Sequence, residues 1–182
     1  MTGAPGDAEL LARVLEGDHT AFDQIMRHHE DRVFSVCLRI MGDRELALDA
    51  TQETFLTAFR KAAQFEGKAA LGTWLYRIAV NACYDMLRRQ QRRRTEPLPE
   101  HVDPVDRAAE DQVDAAALRP EIHAALAVLS AEFRAAIVLS DIEGLSLPEV
   151  ADALGVPVGT VKSRVFRARR ILAQQLGNQT LR

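Results

Sequence analysis

Along most of this chain apolar residues recur three and four positions apart, the period of a helix that packs on one side. Asp7 to Glu16 read as a short first helix stopped at Gly17. Asp18 or Thr20 can start the next, where Ala21, Phe22, Ile25, Met26, Val33, Phe34, Cys37 and Leu38 form one long stripe ending near Gly42. A third helix runs from about Asp43 to Ala63, with Leu48, Phe55, Phe59 and Ala62 as its core side. FEGKAALG, Phe65 to Gly72, has two glycines and reads as a loop. Thr73 then suits the cap of a helix whose core side is Leu75, Ile78, Ala79, Ala82 and Met86.

The pattern resumes after Arg119-Pro120 with Ile122, Ala125, Leu126 and Leu129 as a packing stripe. Ser130 can cap the following helix, which carries Phe133, Ile137, Val138 and Ile142 and stops at Gly144. Ser146 and Glu149 form a capping box around Pro148, and Val150, Ala151 and Leu154 are the buried side of a short helix. Gly155 supplies the backbone freedom of a helix stop, and Pro157 suits the next start. Val158, Val161, Val165, Ala168 and Leu172 then share one sector, with Ser163, Phe166, Arg167 and Arg170 opposite and Lys162 and Arg164 flanking them. A capped helix, a glycine turn and a basic amphipathic helix are the helix-turn-helix pattern, whose second helix enters the DNA major groove. The plainer alternative is a helical hairpin with a solvated basic face.

Charge sharpens the division. The chain of 182 residues has a net charge of −3, unevenly spread. Arg88 to Arg94 holds five arginines in seven residues, and no acid follows Val156. Between them, Thr95 to Ala117 holds seven acids against Arg107 alone, with Pro97, Pro99 and Pro104. Such a segment buries little apolar surface and is expected to be a flexible linker over 95–117. The fold expected is all-α: two small helical bundles, 7–94 and 118–177, the second a helix-turn-helix domain.

No apolar run reaches the length of a membrane span, and the N-terminus lacks a signal peptide's order, so a cytoplasmic protein with no membrane insertion is expected. Cys37 and Cys83 lie inside apolar helical patterns and read as buried thiols in a reducing compartment. No phosphate loop, metal-ligand cluster or nucleophile–base arrangement occurs, so neither cofactor nor catalysis is expected.

Two polar faces ask for partners. Asp49, Gln52, Glu53 and Leu56 lie together, Arg60 continues the row, and Leu56 among polar residues hints at a docking surface. Tyr76, Arg77, Asn81, Tyr84 and Arg88 lie opposite the core side of their helix, with Trp74 at the border. Rings interleaved with cations suit single-stranded nucleic acid, rings for stacking and cations for phosphates. Solvated surface is the plainer alternative for both faces.

Taken in order, the segments resemble the extracytoplasmic-function (ECF) sigma factors of bacteria. The resemblance rests on TAFDQIMRHHEDRVF from Thr20, LDATQETFLTAFR from Leu48, TWLYRIAVNACYDMLRR from Thr73 and GLSLPEVADALGVPVGTVKSRVFRARRIL from Gly144, and spans about Glu9 to Leu176. It implies that Asp49, Gln52, Glu53 and Leu56 dock on the coiled coil of the RNA polymerase largest-subunit clamp. It assigns Lys68, Thr73, Trp74, Tyr76, Arg77, Asn81, Tyr84 and Arg88 to capturing the non-template strand at the downstream promoter element. Thr160, Lys162, Ser163, Arg164, Phe166, Arg167 and Arg170 match the helix that reads the upstream element. There Ser163 and Arg167 should reach base edges, Arg167 favouring guanine, while Lys162, Arg164, Arg170 and Thr160 mostly position phosphates.

The linker matches the segment that threads the polymerase cleft towards the RNA exit path. An anti-sigma protein holding the two domains inactive, a monomeric state and no C-terminal sensory domain are the remaining expectations. The strand-capture loop reads KAALG, where relatives often place an aromatic before a basic residue. Leu147-Pro148 likewise replaces an aromatic–polar pair, a change expected to alter packing and not reading. A stand-alone helix-turn-helix regulator, usually dimeric on palindromic DNA, and an adaptor whose basic helix meets an acidic partner are the competing readings.

Overall fold

A computed structural model describes residues 5–95 and 120–179, and side chains over 5–93 and 121–175. From Glu96 the expected linker lies outside the described residues. Among those described, eight α-helices form two bundles. The first holds α1 (Asp7–Leu15), α2 (His19–Met41), α3 (Arg44–Arg60) and α4 (Leu71–Thr95). The second holds α5 (Pro120–Ala127), α6 (Ala131–Ile137), α7 (Leu147–Leu154) and α8 (Val158–Gln179). A 3-10 turn at Ala62–Gln64 follows α3, and one π-helical stretch, Val138–Ile142, prolongs α6.

Side-chain caps place the helix ends. Asp18 starts α2 by accepting from the Thr20 backbone N–H at 3.0 Å, and Arg13 Nη2 donates to the same carboxylate at 2.6 Å. Alpha2 ends at Gly42, whose φ of +69° is the left-handed conformation that glycine adopts without strain. Asp43, the next residue, caps α3, accepting from Leu46 N–H at 2.9 Å, so only Gly42 and Asp43 separate the two helices. The capping box of Ser146 and Glu149 is complete around α7, and Gly155, φ +64°, stops that helix.

Leu10, Ile25, Val33, Val36, Ile40 and Leu75 are buried in the first bundle; Val138, Leu139, Val150 and Val161 in the second. Each such side chain contributes about 1.5–3 kcal/mol by leaving water. Thr54, a buried polar group, is satisfied by donating to the Ala50 carbonyl at 2.6 Å.

Cys37 and Cys83 are free and fully buried. Hydrogen bonding to Cys37 and burial both push the Cys83 thiol far above its ordinary value, so this thiol stays protonated.

Several local expectations fail. Leu48 and Phe59 are 43% and 41% exposed, not core. Ile122 and Ile142, expected to pack, are also exposed. Alpha4 starts at Leu71, with Trp74 N–H donating to the Ala70 carbonyl at 3.1 Å. Thr73 is therefore a buried residue of the first turn and not the cap, and Leu71, 5% exposed, is core.

Candidate nucleic-acid interface

The helix-turn-helix presents its predicted face. Val161, Val165 and Ala168 pack α8 down, which leaves Lys162, Ser163, Phe166, Arg167 and Arg170 in solvent. Phe166 is 69% exposed, an apolar ring with cations on both sides. Ser163 Oγ donates to the Thr160 carbonyl at 2.9 Å, which leaves its lone pairs free to accept. Thr160 is half-buried at the start of the helix. Arg169, also on α8, is engaged elsewhere: its Nε and Nη2 both donate to Asp141 at 2.8 Å, and this pair holds the Asp141 carboxyl below its usual range.

On α3, Asp49, Gln52, Glu53, Leu56 and Arg60 all face solvent. Leu56 is 51% exposed, and Leu48 extends the apolar part at a spacing of eight residues, two turns away. Phe59 packs on Phe22, with ring centres 5.0 Å apart, and on the tilted His19 ring at 5.5 Å, yet stays 41% exposed. Leu48 and Phe59 were missed as surface because their spacing to Phe55 imitates a core stripe.

The row on α4 divides. Lys68, Arg77, Asn81 and Arg88 are exposed, Lys68 beside Glu66 and Arg88 beside Asp85. Trp74 is half-buried, its ring tilted on Phe65 at 5.3 Å. Thr73 and Tyr76 are only 6% and 5% exposed, and Tyr84 is half-buried. Tyr76 and Tyr84 therefore do not lie on an open face. Together with Val80, 1% exposed, they form a stripe at spacings of four that turns towards the second bundle.

The contacts between the bundles explain this. Alpha4 packs on α7. Tyr76 Oη donates to Glu143 Oε2 at 2.8 Å, and Arg32 and Arg39 approach the same carboxylate at 3.9 Å. Burial and the neighbouring Glu143 carboxylate push the Tyr76 phenol well above its ordinary value. Burial pushes the Tyr84 hydroxyl up to about 12, partly offset by the charge of Arg164, which places that α8 residue against α4. Arg164, expected over a phosphate, is half-buried. Gln64 to Ala69, Trp74 and Arg77 face Ala151 to Ala153 and Gly155 to Pro157 across a cleft of about 610 Å³. The expected strand-capture loop and the reader's turn thus line one opening.

Among the described residues there is no group of His, Cys, Asp and Glu that could hold a metal. No described helix is long and apolar enough to cross a membrane.

Comparison with known proteins gives these surfaces a context. The profile of Sigma-70 region 2 matches residues 25–93, and that of Sigma-70, region 4 matches 119–172. ECF RNA polymerase sigma factor SigM of Mycobacterium tuberculosis is 43% identical over 171 residues, 94% of this chain and 85% of that protein. The chain belongs to the ECF sigma factors. It is accordingly a transcription initiation factor without catalysis of its own, working with RNA polymerase at promoter DNA. RNA polymerase sigma-H factor of Pseudomonas aeruginosa is 35% identical, covering 93% of each chain. Among solved structures, CnrH in complex with the cytosolic domain of CnrY superposes with a TM-score of 0.68 at 28% identity, over 93% of this chain and 96% of the other. The sigma factor RpoE of Bartonella quintana, in complex with the anti-sigma factor NepR, gives 0.66 at 28% identity, over 86% and 96%.

Proposed function

We propose that this sigma factor divides promoter recognition between its bundles. The outer face of α8 reads the upstream duplex: Arg167 and Ser163 reach base edges, Phe166 offers an apolar contact, and Lys162, Arg170 and Thr160 hold phosphates. The row of α4, with Lys68 and Trp74, captures the melted non-template strand, where stacking offsets the few kcal/mol, roughly, of unstacking a base. Asp49, Gln52, Glu53 and Leu56 dock on the clamp coiled coil of the polymerase, with Leu48 widening the apolar part. The bundles 7–94 and 118–177 are the two working units, the protein acts as a monomer in the cytoplasm, and an anti-sigma protein restrains it. The likeness to RpoE of Bartonella quintana, solved with an anti-sigma factor, supports the last point.

The observation that carries this reading is the pairing on one chain of an exposed basic face on α8 with an exposed acidic and apolar face on α3. Duplex recognition explains only the first of these. Transcription by core polymerase on a genomic library, with and without the protein, is the test. Promoter-specific transcripts that depend on it are expected, and their absence overturns the reading.

A further inference from the structure

The carboxylate of Glu143 comes from the second bundle but sits among groups of the first. Its side chain is only 8% exposed. Tyr76 gives it one direct hydrogen bond at 2.8 Å. Arg32 Nε and Arg39 Nη1 stand 3.9 Å from its two oxygens, too far for direct hydrogen bonds. Two guanidinium groups thus face one carboxylate without a direct hydrogen bond from either, Arg32 largely in solvent and Arg39 largely buried. Arg39 shows the shortfall most clearly: Ser35 accepts from its Nη1, while its Nε is buried with no partner. A buried donor left so costs stability.

Phosphate fits this slot better than carboxylate does. A backbone phosphodiester carries the same single charge, with its two non-bridging oxygens held wider apart on a larger tetrahedral frame, better able to span two guanidinium groups and a phenol at once. The slot also adjoins Arg77, the next residue on α4 and an exposed member of the strand row. On the sigma-factor reading, we infer that Arg32, Arg39 and Tyr76 form a binding slot for one backbone phosphate of single-stranded DNA, which Glu143 fills while the bundles are packed together. Strand entry then displaces Glu143, and with it the contact of α7 on α4. The reader domain so competes with the strand it helps to select, and unpacking of the bundles is coupled to capture.

The test uses the full chain and a fluorescein-labelled single-stranded 20-mer of mixed sequence, followed by anisotropy across a potassium chloride series. Glu143→Gln keeps the shape and removes the competing charge. It is expected to tighten binding about fivefold or more, and to steepen the log–log salt slope by about 0.7, one further phosphate on a single strand. Adding Arg39→Gln or Arg32→Gln should abolish both changes, and Arg39→Lys, which keeps the charge, should retain part of them. Unchanged affinity in Glu143→Gln overturns the inference. So does a gain that survives loss of both arginines, since uncovering of α4 alone would produce it. The same proteins are assayed with core polymerase. Promoter-specific transcripts alongside unchanged strand binding defeat the slot and leave the sigma-factor reading standing; no transcripts from the unaltered protein defeat both.

Discussion

Arg134 Nη1 donates to the carbonyl of Ile40 at 2.7 Å, joining residues 94 apart in sequence. Its Nη2 donates to the carbonyls of Leu129 at 3.0 Å and Ala127 at 3.3 Å. These carbonyls lie at the ends of α2 and α5, where a helix leaves acceptors unpaired and favours a cation. One guanidinium therefore finishes two helices from different bundles, and His123 Nε2 adds a contact to the Gly42 carbonyl at 3.0 Å. A Cβ at Gly42 would stand 3.3 Å from that imidazole, so glycine there serves both the left-handed stop and the close approach.

Arg134→Ala should cost about 2 kcal/mol in urea unfolding, the worth of hydrogen bonds from a charged donor together with the acceptors left unpaired. Arg134→Lys should recover less than half of this, because an ammonium lacks the fork that reaches acceptors on two helices. Equal stability of all three proteins would show that solvent replaces the guanidinium without loss.

The start of α2 predicts an acid dependence. Hydrogen bonds from Thr20 and Arg13 lower the Asp18 carboxyl from 3.8 to about 2. A depressed folded-state value means that the stabilisation is complete above the unfolded value near 4 and is lost as pH falls through about 2. Asp18→Asn keeps a good cap and removes the charge. Thermal unfolding from pH 5 to pH 2 should show the gap between the two proteins closing as the pH falls. A gap that stays constant would mean that Asp18 acts as a cap alone.

Cys37 and Cys83, both fully buried, should resist a water-soluble disulfide reagent in the native protein and react only on unfolding. The reaction rate should follow global stability across a urea series. Rapid native labelling would place an opening of α2 from α4 well below the global free energy.

How far these features were legible in the sequence varied with the range of the forces behind them. Caps and stops at Gly42, Ser146 and Gly155 are local hydrogen-bonding and backbone effects readable from residue type, while Asp18 was one of two candidate caps with Thr20. The outward face of α8 followed from period alone. The face of α4 did not, because the helix packs on two sides: Leu75 and Ala79 turn to their own bundle, while Tyr76 and Tyr84 meet the other. Tyr76, Val80 and Tyr84, four apart, were the available sign of a second stripe, masked by the polar residues between them. Leu71 misled in the same way. As part of KAALG it read as loop, yet it is 5% exposed and belongs to the core, and a Cβ at the neighbouring Gly72 would stand 3.6 Å from the His29 ring.

The two outward surfaces should act as independent handles. On the proposed reading, in which Arg167 reaches a base edge, Arg167→Ala should cost about 1–3 kcal/mol at one upstream position and relax preference there. Glu53→Lys reverses charge on α3, where the side chain is exposed and its contact is a weak one from Thr57 Oγ1 at 3.2 Å, so folding should be untouched. Its effect should fall on polymerase affinity, largely through the association rate and with strong salt dependence. Because the residues lie on different bundles and are proposed to meet different ligands, the double variant's loss of promoter-specific transcription should equal the sum of the single losses in free energy, to within about 0.5 kcal/mol. A larger deviation would mean that polymerase docking and duplex reading share a conformational step. Separation of α7 from α4 is the step the structure offers, and a Glu143→Gln background should then bring the two effects back to additivity.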